Sequence, residues 1–239
     1  MLMFNYLRVF LRGTILASFI LASCSDYGER DNPYDPTAAN YNASLFSSPA
    51  ISSSSSEFIK IVWTYQNPNI NYGVITDKRD NQMYRTVKIS SKVWLAENMN
   101  YGQLGFCYEE DDELCDKYGR LYTWKDAASA CPEGFHLPSK AEWNALGSDV
   151  SLMSMKGWAL DSGKVGGSDD LGISLLPAGF ASVNSDDDVL YEGISTDAML
   201  WTSTELVSDS AYGIHVFDMQ KITVRNAKKK SYLSVRCVQ

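Results

Sequence analysis

The sequence lacks a long apolar run at its start and has no surplus of basic residues. The amino-terminal apolar run, residues 13–20, is well short of the roughly 20 residues that a membrane-spanning helix needs. The chain has 21 Lys and Arg against 29 Asp and Glu, a formal charge of −8. Nucleic-acid binding relies on positive charge, so we predict no nucleic-acid partner. The one basic cluster, Lys228 to Lys230, is predicted to form a hairpin turn.

The short motifs of several catalytic and metal sites are also missing. The chain has no Gly-x-Ser-x-Gly motif, no Walker motif and no zinc-ligand spacing. Asp186, Asp187 and Asp188 offer carboxylates to a hard cation, but the Asp-x-Asp-x-Asp-Gly spacing of a calcium loop is absent. We interpret these three residues as a solvated acidic turn, and we predict no metal ion and no other cofactor.

The first 24 residues have the features of an export signal. Arg8 and Arg12 precede the apolar region, and Leu21-Ala22-Ser23-Cys24 follow it. This ending resembles the lipobox of bacterial lipoproteins, and it implies that residues 1–23 are a signal peptide and that Cys24 is lipidated. The alternative is an ordinary signal peptide, with Cys24 as a free or paired thiol. A lipid anchor would make a membrane the first partner of the protein.

The number of cysteines supports lipidation. Five is an odd number, which leaves one cysteine unpaired in an exported protein. If Cys24 carries lipid, the other four form an even set that suits an oxidising compartment: Cys107, Cys115, Cys131 and Cys237. Ser25 follows Cys24 at the position where Asp typically keeps a lipoprotein in the inner membrane. We therefore predict that the protein lies in the outer membrane or at the cell surface.

The composition changes twice along the chain. Residues 24–59 are rich in Ser and Pro, include the run Ser52 to Ser56 and show no apolar periodicity, which predicts a disordered tether. Residues 60–239 carry apolar and aromatic positions throughout and contain no second linker. They are predicted to form one domain.

Periodicity within residues 60–239 predicts an α+β fold with two early helices and a mostly antiparallel sheet. A hairpin is predicted from strands at 74–76 and 83–89, with a short strand at 93–95 after it. Thr123 is predicted to cap a helix over 124–131, and Ser139 a helix over 140–146. Six later strands are predicted at 172–177, 178–183, 199–202, 211–219, 222–225 and 231–238. Alternation in the fourth predicts that Tyr212, Ile214 and Val216 face one side and that Gly213, His215 and Phe217 face the other.

Six motifs occur in one order in the predicted domain. They are Val93-Trp94-Leu95-Ala96-Glu97-Asn98-Met99-Asn100-Tyr101, Tyr118-Gly119-Arg120-Leu121-Tyr122-Thr123-Trp124, Cys131-Pro132-Glu133-Gly134-Phe135-His136-Leu137-Pro138-Ser139, Leu176-Pro177-Ala178-Gly179, Trp201-Thr202-Ser203-Thr204-Glu205 and Ser234-Val235-Arg236-Cys237-Val238. Together they resemble the Fibrobacter succinogenes major paralogous domain, over a core of about residues 73–239. Domains of this family commonly sit on exported lipoproteins.

A second similarity involves the region around the two predicted helices. The set Trp124, Ala127, Cys131, Gly134, Leu137, Glu142 and Leu146 resembles the helix-to-helix segment of C-type lectin-like folds, which include formylglycine-generating-enzyme-like domains. The resemblance implies a Cys131–Cys237 disulfide, and Cys107–Cys115 would then close a small loop. The calcium-dependent sugar motifs of C-type lectins are absent. Formylglycine-generating enzymes hold copper with two reduced cysteines, which four paired cysteines could not supply.

Several side chains are candidates for chemistry or binding. Glu97 and Glu205 could form the carboxylate pair of a glycoside hydrolase, but they fall in motifs that we interpret as structural. We interpret His136 and His215 as fold residues. Four tryptophans within periodic elements are predicted to be core: Trp94, Trp124, Trp143 and Trp158. Four aromatic residues near turns are predicted to form an exposed platform for a sugar ring or a protein partner: Tyr101, Tyr108, Tyr191 and Trp201.

Three functional hypotheses follow from these features. The leading one is a non-enzymatic cell-envelope module that displays a disulfide-bonded domain for recognition of polysaccharide or a surface protein. The second is an enzyme, either an oxidase with free thiols or a glycoside hydrolase with Glu97 and Glu205. The third is a purely structural envelope domain.

Overall fold

The computed structural model describes residues 60–159, 166–217 and 221–239, which lie within one unit, Glu57–Gln239. The predicted signal peptide 1–23, the lipidation site Cys24 and the predicted tether 24–59 lie outside the described residues. They stay predictions. In the described part of the chain, no helix is long and apolar enough to cross a membrane.

The domain begins with a small antiparallel sheet. Strands β1 (Gly73–Thr76), β2 (Met83–Ile89) and β3 (Lys92–Leu95) lie side by side in that order. The β1–β2 turn forms because the Asp77 carboxylate accepts the Arg79 N–H and Asn81 adopts a left-handed conformation (φ 63°), which Asn tolerates. The predicted hairpin and following strand are confirmed to within one residue at each end.

Three short α-helices follow, α1 (Asp112–Tyr118), α2 (Trp124–Ala130) and α3 (Lys140–Leu146). The predicted caps of the last two are confirmed. The Thr123 side chain accepts the Asp126 N–H, and Ser139 forms a reciprocal capping box with Glu142. These local hydrogen bonds explain why the starts of α2 and α3 could be predicted to the residue.

The predicted number of early helices is wrong, because α1 was not among them. Leu114 stands three residues after its cap Asp111, so α1 lacks the Ser/Thr-x-x-acid pattern that marks the starts of α2 and α3. Its ends are fixed locally instead: the Asp111 side chain accepts the Glu113 N–H, and Gly119 follows with a φ of 75°.

A seven-stranded sheet forms most of the remaining structure. Its strands are β4 (Leu121–Tyr122), β5 (Ala178–Val183), β6 (Val189–Ile194), β7 (Ala198–Val207), β8 (Ser210–Phe217), β9 (Lys221–Lys228) and β10 (Leu233–Ser234). The order along the sheet is β4-β10-β7-β5-β6, and β8 pairs with both β7 and β9. Only the pairings of β7 with β5 and β10 are parallel among the described strands, so the predicted α+β class with mostly antiparallel sheet is confirmed.

Some strand predictions are wrong. Residues 172–177 form no strand because Gly172 and Ser174 have positive φ angles (68° and 53°), which interrupt an extended backbone. The segment 231–238 contributes only β10 and isolated bridges. β6 is missing from the prediction because its residues do not alternate between apolar and polar. Lys228 to Lys230 do lie at a turn, but it leads from β9 to β10, which do not pair, so it is not a hairpin.

Two large clusters of buried side chains stabilise the domain. The first contains Trp94, Trp143 and Trp158, which confirms these three as core residues. The second contains Tyr122 and Trp201. Trp124 is half-buried against the second cluster rather than enclosed in it.

Both predicted disulfides are confirmed, the Cys131–Cys237 bond implied by the lectin-like resemblance and the Cys107–Cys115 bond between the remaining two cysteines. Cys131–Cys237 joins the end of α2 to the last residues of the chain, across a sequence separation of 106. Cys107–Cys115 joins α1 to the loop before it. The longer bridge restricts the unfolded chain most, because loop-closure entropy grows with the length of the closed loop.

The capping box of α3 leads to a pH-dependent prediction. Burial disfavours ionisation of Glu142, but hydrogen bonds from Lys92, Ser139 and His136 dominate and lower its pKa to about 2. We expect Glu142→Gln to reduce the free energy of unfolding by roughly 2 kcal/mol at pH 7. Because the folded-state pKa lies below the ordinary value of 4.5, this stabilisation is present above pH 4.5 and is lost as the pH falls towards 2.

Urea unfolding of both proteins at pH 7, 4 and 2.5 measures this difference. A gap that stays constant across the three pH values would contradict the assignment, because it would show that the Glu142 charge is not responsible.

Candidate functional site

Two of the four aromatic residues predicted to be exposed are buried. Trp201 is 0% exposed, because it lies in the central strand β7 and its Nε1 donates to the Tyr122 carbonyl (2.7 Å). Tyr108 is 4% exposed. Its ring packs so closely against Gly179 that a Cβ atom added to Gly179 would lie 2.7 Å from the Tyr108 ring. The predicted exposure of Trp201 and Tyr108 is therefore wrong.

The other two aromatic residues are half-buried and lie in different surroundings. Tyr191 packs against Tyr108, with ring centroids 5.0 Å apart, and against Phe106 at 6.0 Å. Tyr101 is covered on one face by the Arg79 guanidinium, 4.0 Å from the ring centroid. The four predicted residues do not form one continuous aromatic surface.

The two carboxylates predicted as a hydrolase pair have separate partners. Glu97 is buried, and it accepts hydrogen bonds from Trp63 Nε1 (2.6 Å), Lys60 Nζ (3.0 Å) and the Arg85 N–H (2.7 Å). Glu205 lies near the exposed end of β7 and pairs with Lys229. No described contact brings Glu97 and Glu205 together.

The acidic residues 186–188 lie in an exposed turn. The Asn184 side chain accepts the N–H groups of Asp186 and Asp188, and Asp187 pairs with Lys230 (3.1 Å). Within residues 60–159, 166–217 and 221–239, no group of three or more His, Cys, Asp or Glu side chains is placed to hold a metal ion. All four described cysteines are in disulfides, so none is a free thiol.

The two histidines have different surroundings. His136 is exposed and lies 3.0 Å from the Glu142 carboxylate, where it supports the cap of α3. His215 is half-buried on β8, and its Nε2 lies 3.0 Å from Asp197 Oδ1. A carboxylate only accepts hydrogen bonds, so Nε2 carries the proton.

His215 is the centre of an aromatic and acidic surface that we call the His215 patch, made of Phe180, Asp197, His215 and Phe217. The imidazole stacks on Phe217, with centroids 4.9 Å apart and planes 28° apart. Phe180 meets it edge-on at 6.1 Å. The side chains of His215 and Asp197 remain 19% and 25% exposed, so solvent reaches both.

Alternation along β8 explains which side chains face the patch. Ile214 and Val216 lie in the first core cluster. Successive side chains of a strand point to opposite faces, so His215 and Phe217 face the other way. The sequence pattern predicts this division, and the structure confirms it.

Asp197 is positioned by the turn between β6 and β7. Thr196 Oγ1 donates to Asp197 Oδ2 (2.7 Å), which leaves Oδ1 for His215. Gly193 permits this arrangement, since it has a φ of 73° and a Cβ there would lie 2.6 Å from the Asp197 Cβ. Glycine is the residue that tolerates both conditions.

The His215 patch combines two kinds of binding chemistry. The rings of Phe180 and Phe217 offer apolar contact, while Asp197 and His215 offer an acceptor and a polar ring held in fixed positions. Few, well-fixed polar groups beside apolar surface are typical of sites for small molecules and sugar rings.

Only part of this patch is predictable from the sequence. The alternation of β8 places His215 and Phe217 on one side, but the sequence predicts His215 only as a fold residue. Phe180 and Asp197 are not candidates from the sequence, because β5 reaches β8 only through its parallel pairing with β7, and the Asp197–His215 contact depends on the register of β7 and β8. No local signal marks them.

The family model of the Fibrobacter succinogenes major domain matches residues 87–239. The chain belongs to this family. The Fibrobacter succinogenes major domain contains the whole His215 patch and both disulfides, whereas Lys60 and Trp63, which bind Glu97, precede the matched residues. No curated protein and no solved structure matches the chain.

Proposed function

We propose that the chain is a lipid-anchored cell-envelope protein whose domain recognises a polysaccharide through the His215 patch, without catalysing a reaction. The observation that carries this proposal is the stacked pair of His215 and Phe217 beside the Asp197 carboxylate. The lipobox at Cys24 and the Ser- and Pro-rich segment 24–59 support an outer-membrane or surface location.

We further propose that the fold is C-type lectin-like. The supporting feature is the Cys131–Cys237 disulfide, which runs from the end of the helix α2 to the last residues of the chain. The α3 helix after this cysteine, with its Ser139 capping box, also matches the helix-to-helix segment on which the resemblance rests.

The chemistry of a sugar ring fits the patch. A pyranose has C–H groups on its faces and hydroxyls around its edge, so it needs an apolar surface with polar groups beside it. Phe217 supplies the first, and Asp197 can accept a hydroxyl hydrogen bond. Because His215 stacks on Phe217 and bonds to Asp197, little side-chain entropy is lost on binding.

Binding of the full chain, purified in detergent, to insoluble polysaccharides and to a glycan array tests the proposal. We expect Phe217→Ala to weaken binding by roughly tenfold or more, because it removes the apolar surface on which the sugar ring would rest. Phe135→Ala is the matched control, since Phe135 is also half-buried but lies in the loop between α2 and α3. This control should bind like the unaltered protein.

Two results would count against this function. The first is the absence of any glycan ligand together with capture of a surface protein, and the second is equal binding by the Phe217→Ala and Phe135→Ala proteins.

The His215–Asp197 hydrogen bond also favours a second candidate function. A carboxylate that orients an imidazole is the arrangement of a general base in many hydrolases. Incubation of each bound polysaccharide with the unaltered and His215→Gln proteins separates the two functions. Release of reducing ends that requires His215 would favour catalysis, and unchanged polymer would favour recognition.

A further inference from the structure

Arg120 is a half-buried cation that lacks a partner in the described part of the chain. It follows Gly119 at the end of α1, and its backbone N–H donates to the Met99 carbonyl (2.9 Å). Its Nε is shielded from solvent but has no hydrogen-bond acceptor among the residues that the structure describes. No described carboxylate forms an ion pair with its guanidinium.

Other arginines of the domain show what such a group normally requires. Arg79 holds the Asp77 carboxylate and two main-chain carbonyls. Arg236 is enclosed by the Asn98 side chain and carbonyl oxygens. Removing a guanidinium from water is unfavourable unless acceptors replace the water. The Nε of Arg120 is withdrawn from water, but no described acceptor replaces the water.

The guanidinium of Arg120 lies beside a turn in which Gly102 has no side chain. The turn spans 101–104, where the Leu104 N–H donates to the Tyr101 carbonyl (3.2 Å). Gly102, within this turn, is exposed, and a Cβ added to it would lie 3.8 Å from Arg120 Nη2. The absence of a side chain at Gly102 therefore keeps the approach to the guanidinium open.

A second polar atom in the same segment also lacks a partner. Asn100 Oδ1 is shielded from solvent and accepts no hydrogen bond in the described structure. Asn100 directly follows Met99, whose carbonyl accepts the Arg120 backbone N–H, so the two residues lie on neighbouring segments. Arg120 Nε is a hydrogen-bond donor, which suits an anion, and Asn100 Oδ1 is an acceptor, which suits a hydroxyl group of the same ligand.

Two cations lie near the same buried phenol although the whole chain is acidic. Burial raises the pKa of Tyr122, the charges of Arg120 and Arg79 lower it, and the charge of Asp80 raises it. Both cations therefore lie close to the same phenol, whose hydroxyl accepts the Tyr101 N–H (2.9 Å). Asp77 pairs with Arg79, whereas Arg120 forms no ion pair with a described carboxylate.

We propose that Arg120, Asn100 and the open turn at Gly102 form a binding site for the carboxylate of an acidic sugar. That the ligand is a sugar rests on the proposed polysaccharide recognition. That it carries a carboxylate follows from the positive charge of Arg120. The planar guanidinium matches a carboxylate through two parallel N–H···O bonds, and the Asn100 amide is assigned to a neighbouring hydroxyl of the sugar. A formal chain charge of −8 favours a polymer with separated carboxylates over one with dense charge.

Calorimetric titration of the full chain in detergent with sodium glucuronate, and separately with glucose, tests the site. We expect glucuronate to bind with a dissociation constant on the order of millimolar, and glucose not to bind there. Arg120→Gln should weaken glucuronate binding by about tenfold or more, because charge-assisted hydrogen bonds are lost. Lys88→Gln, which removes an exposed charge from β2, should leave binding unchanged.

Substitutions at Gly102 test the same site with Arg120 left in place. In Gly102→Asp, the new carboxylate can reach Arg120 Nη2, so it should compete with glucuronate and abolish binding. It should also raise the melting temperature by roughly 2–4 °C, because it supplies the missing acceptor. Gly102→Asn adds similar volume without charge, and it should show neither the stabilisation nor the full loss of binding.

Each outcome decides the proposal. Equal binding of glucose and glucuronate, undiminished glucuronate binding by folded Arg120→Gln, or Gly102→Asp and Gly102→Asn proteins that behave alike would overturn it. If Arg120→Gln does not fold, the two Gly102 variants still give the answer. Failure of the His215 patch is detected separately, because Phe217→Ala alters that patch and retains Arg120, whereas Arg120→Gln retains Phe217.

Discussion

Arg236→Met is expected to lower the free energy of unfolding by about 3–5 kcal/mol. Arg236 is 1% exposed, and it donates to the Asn98 side chain and to the carbonyls of Leu95 and Ile173. Burial lowers its pKa to about 10, so it stays charged at neutral pH. Methionine fills similar space but leaves three buried acceptors without donors, which is why the loss is large.

Urea unfolding at pH 7 measures this change, with Arg225→Met as the matched control. Arg225 lies exposed on β9, and the same substitution there should alter stability by about 0.5 kcal/mol or less. Arg236→Lys should fall between the two, because one ammonium group cannot reach all three acceptors. A loss below about 1 kcal/mol for Arg236→Met would show that these acceptors find other donors.

Features encoded by neighbouring residues were predictable from the sequence. Thr123 and Ser139 cap their helices through partners three residues away, and both caps are found as predicted. The alternation of β8 correctly separates Ile214 and Val216 from His215 and Phe217. The Cys131–Cys237 pairing was predictable only from the resemblance to a known fold, because spacing alone does not determine connectivity.

Exposure and the composition of the site depend on distant strands, and here the predictions fail. Trp201 stands beside turn-forming residues in the sequence, but β7 is a central strand and its neighbours bury the indole completely. Asp197 meets His215 because β7 and β8 pair antiparallel. Such contacts are set by sheet order and register, which no local pattern specifies.

The segment 60–72, which precedes the family match, is part of the folded domain. Gln66 Nε2 donates to the Ala96 carbonyl (3.1 Å), and Asn67 bonds to Asp169 through its backbone N–H and its side chain. Burial raises the pKa of Asp169 to about 6, although hydrogen bonds from Ser174 and Asn67 oppose the change. The folding unit therefore begins before residue 87, where the family match starts.

Glu97→Gln is expected to destabilise the fold by about 3 kcal/mol. The Glu97 carboxylate joins the beginning of the domain to β2, since it accepts from Lys60, Trp63 and the Arg85 main chain. Lys60 is only 15% exposed, so loss of the carboxylate leaves its ammonium largely buried without an opposite charge. The glutamine NH₂ would also face that ammonium, donor against donor.

Glu205→Gln is the matched control for this substitution, and urea unfolding at pH 7 measures both. Glu205 is 52% exposed in its pair with Lys229, and exposed pairs contribute at most about 1 kcal/mol. Equal losses in the two variants would contradict the role of Glu97 in holding segment 60–72. Trp63→Phe supplies an independent check, because it removes only the indole N–H from Glu97 and should produce part of the same loss. If both Glu97→Gln and Trp63→Phe destabilise the protein while Glu205→Gln does not, the two carboxylates have unrelated roles. Glu97 then acts as a structural anion that fixes the start of the domain.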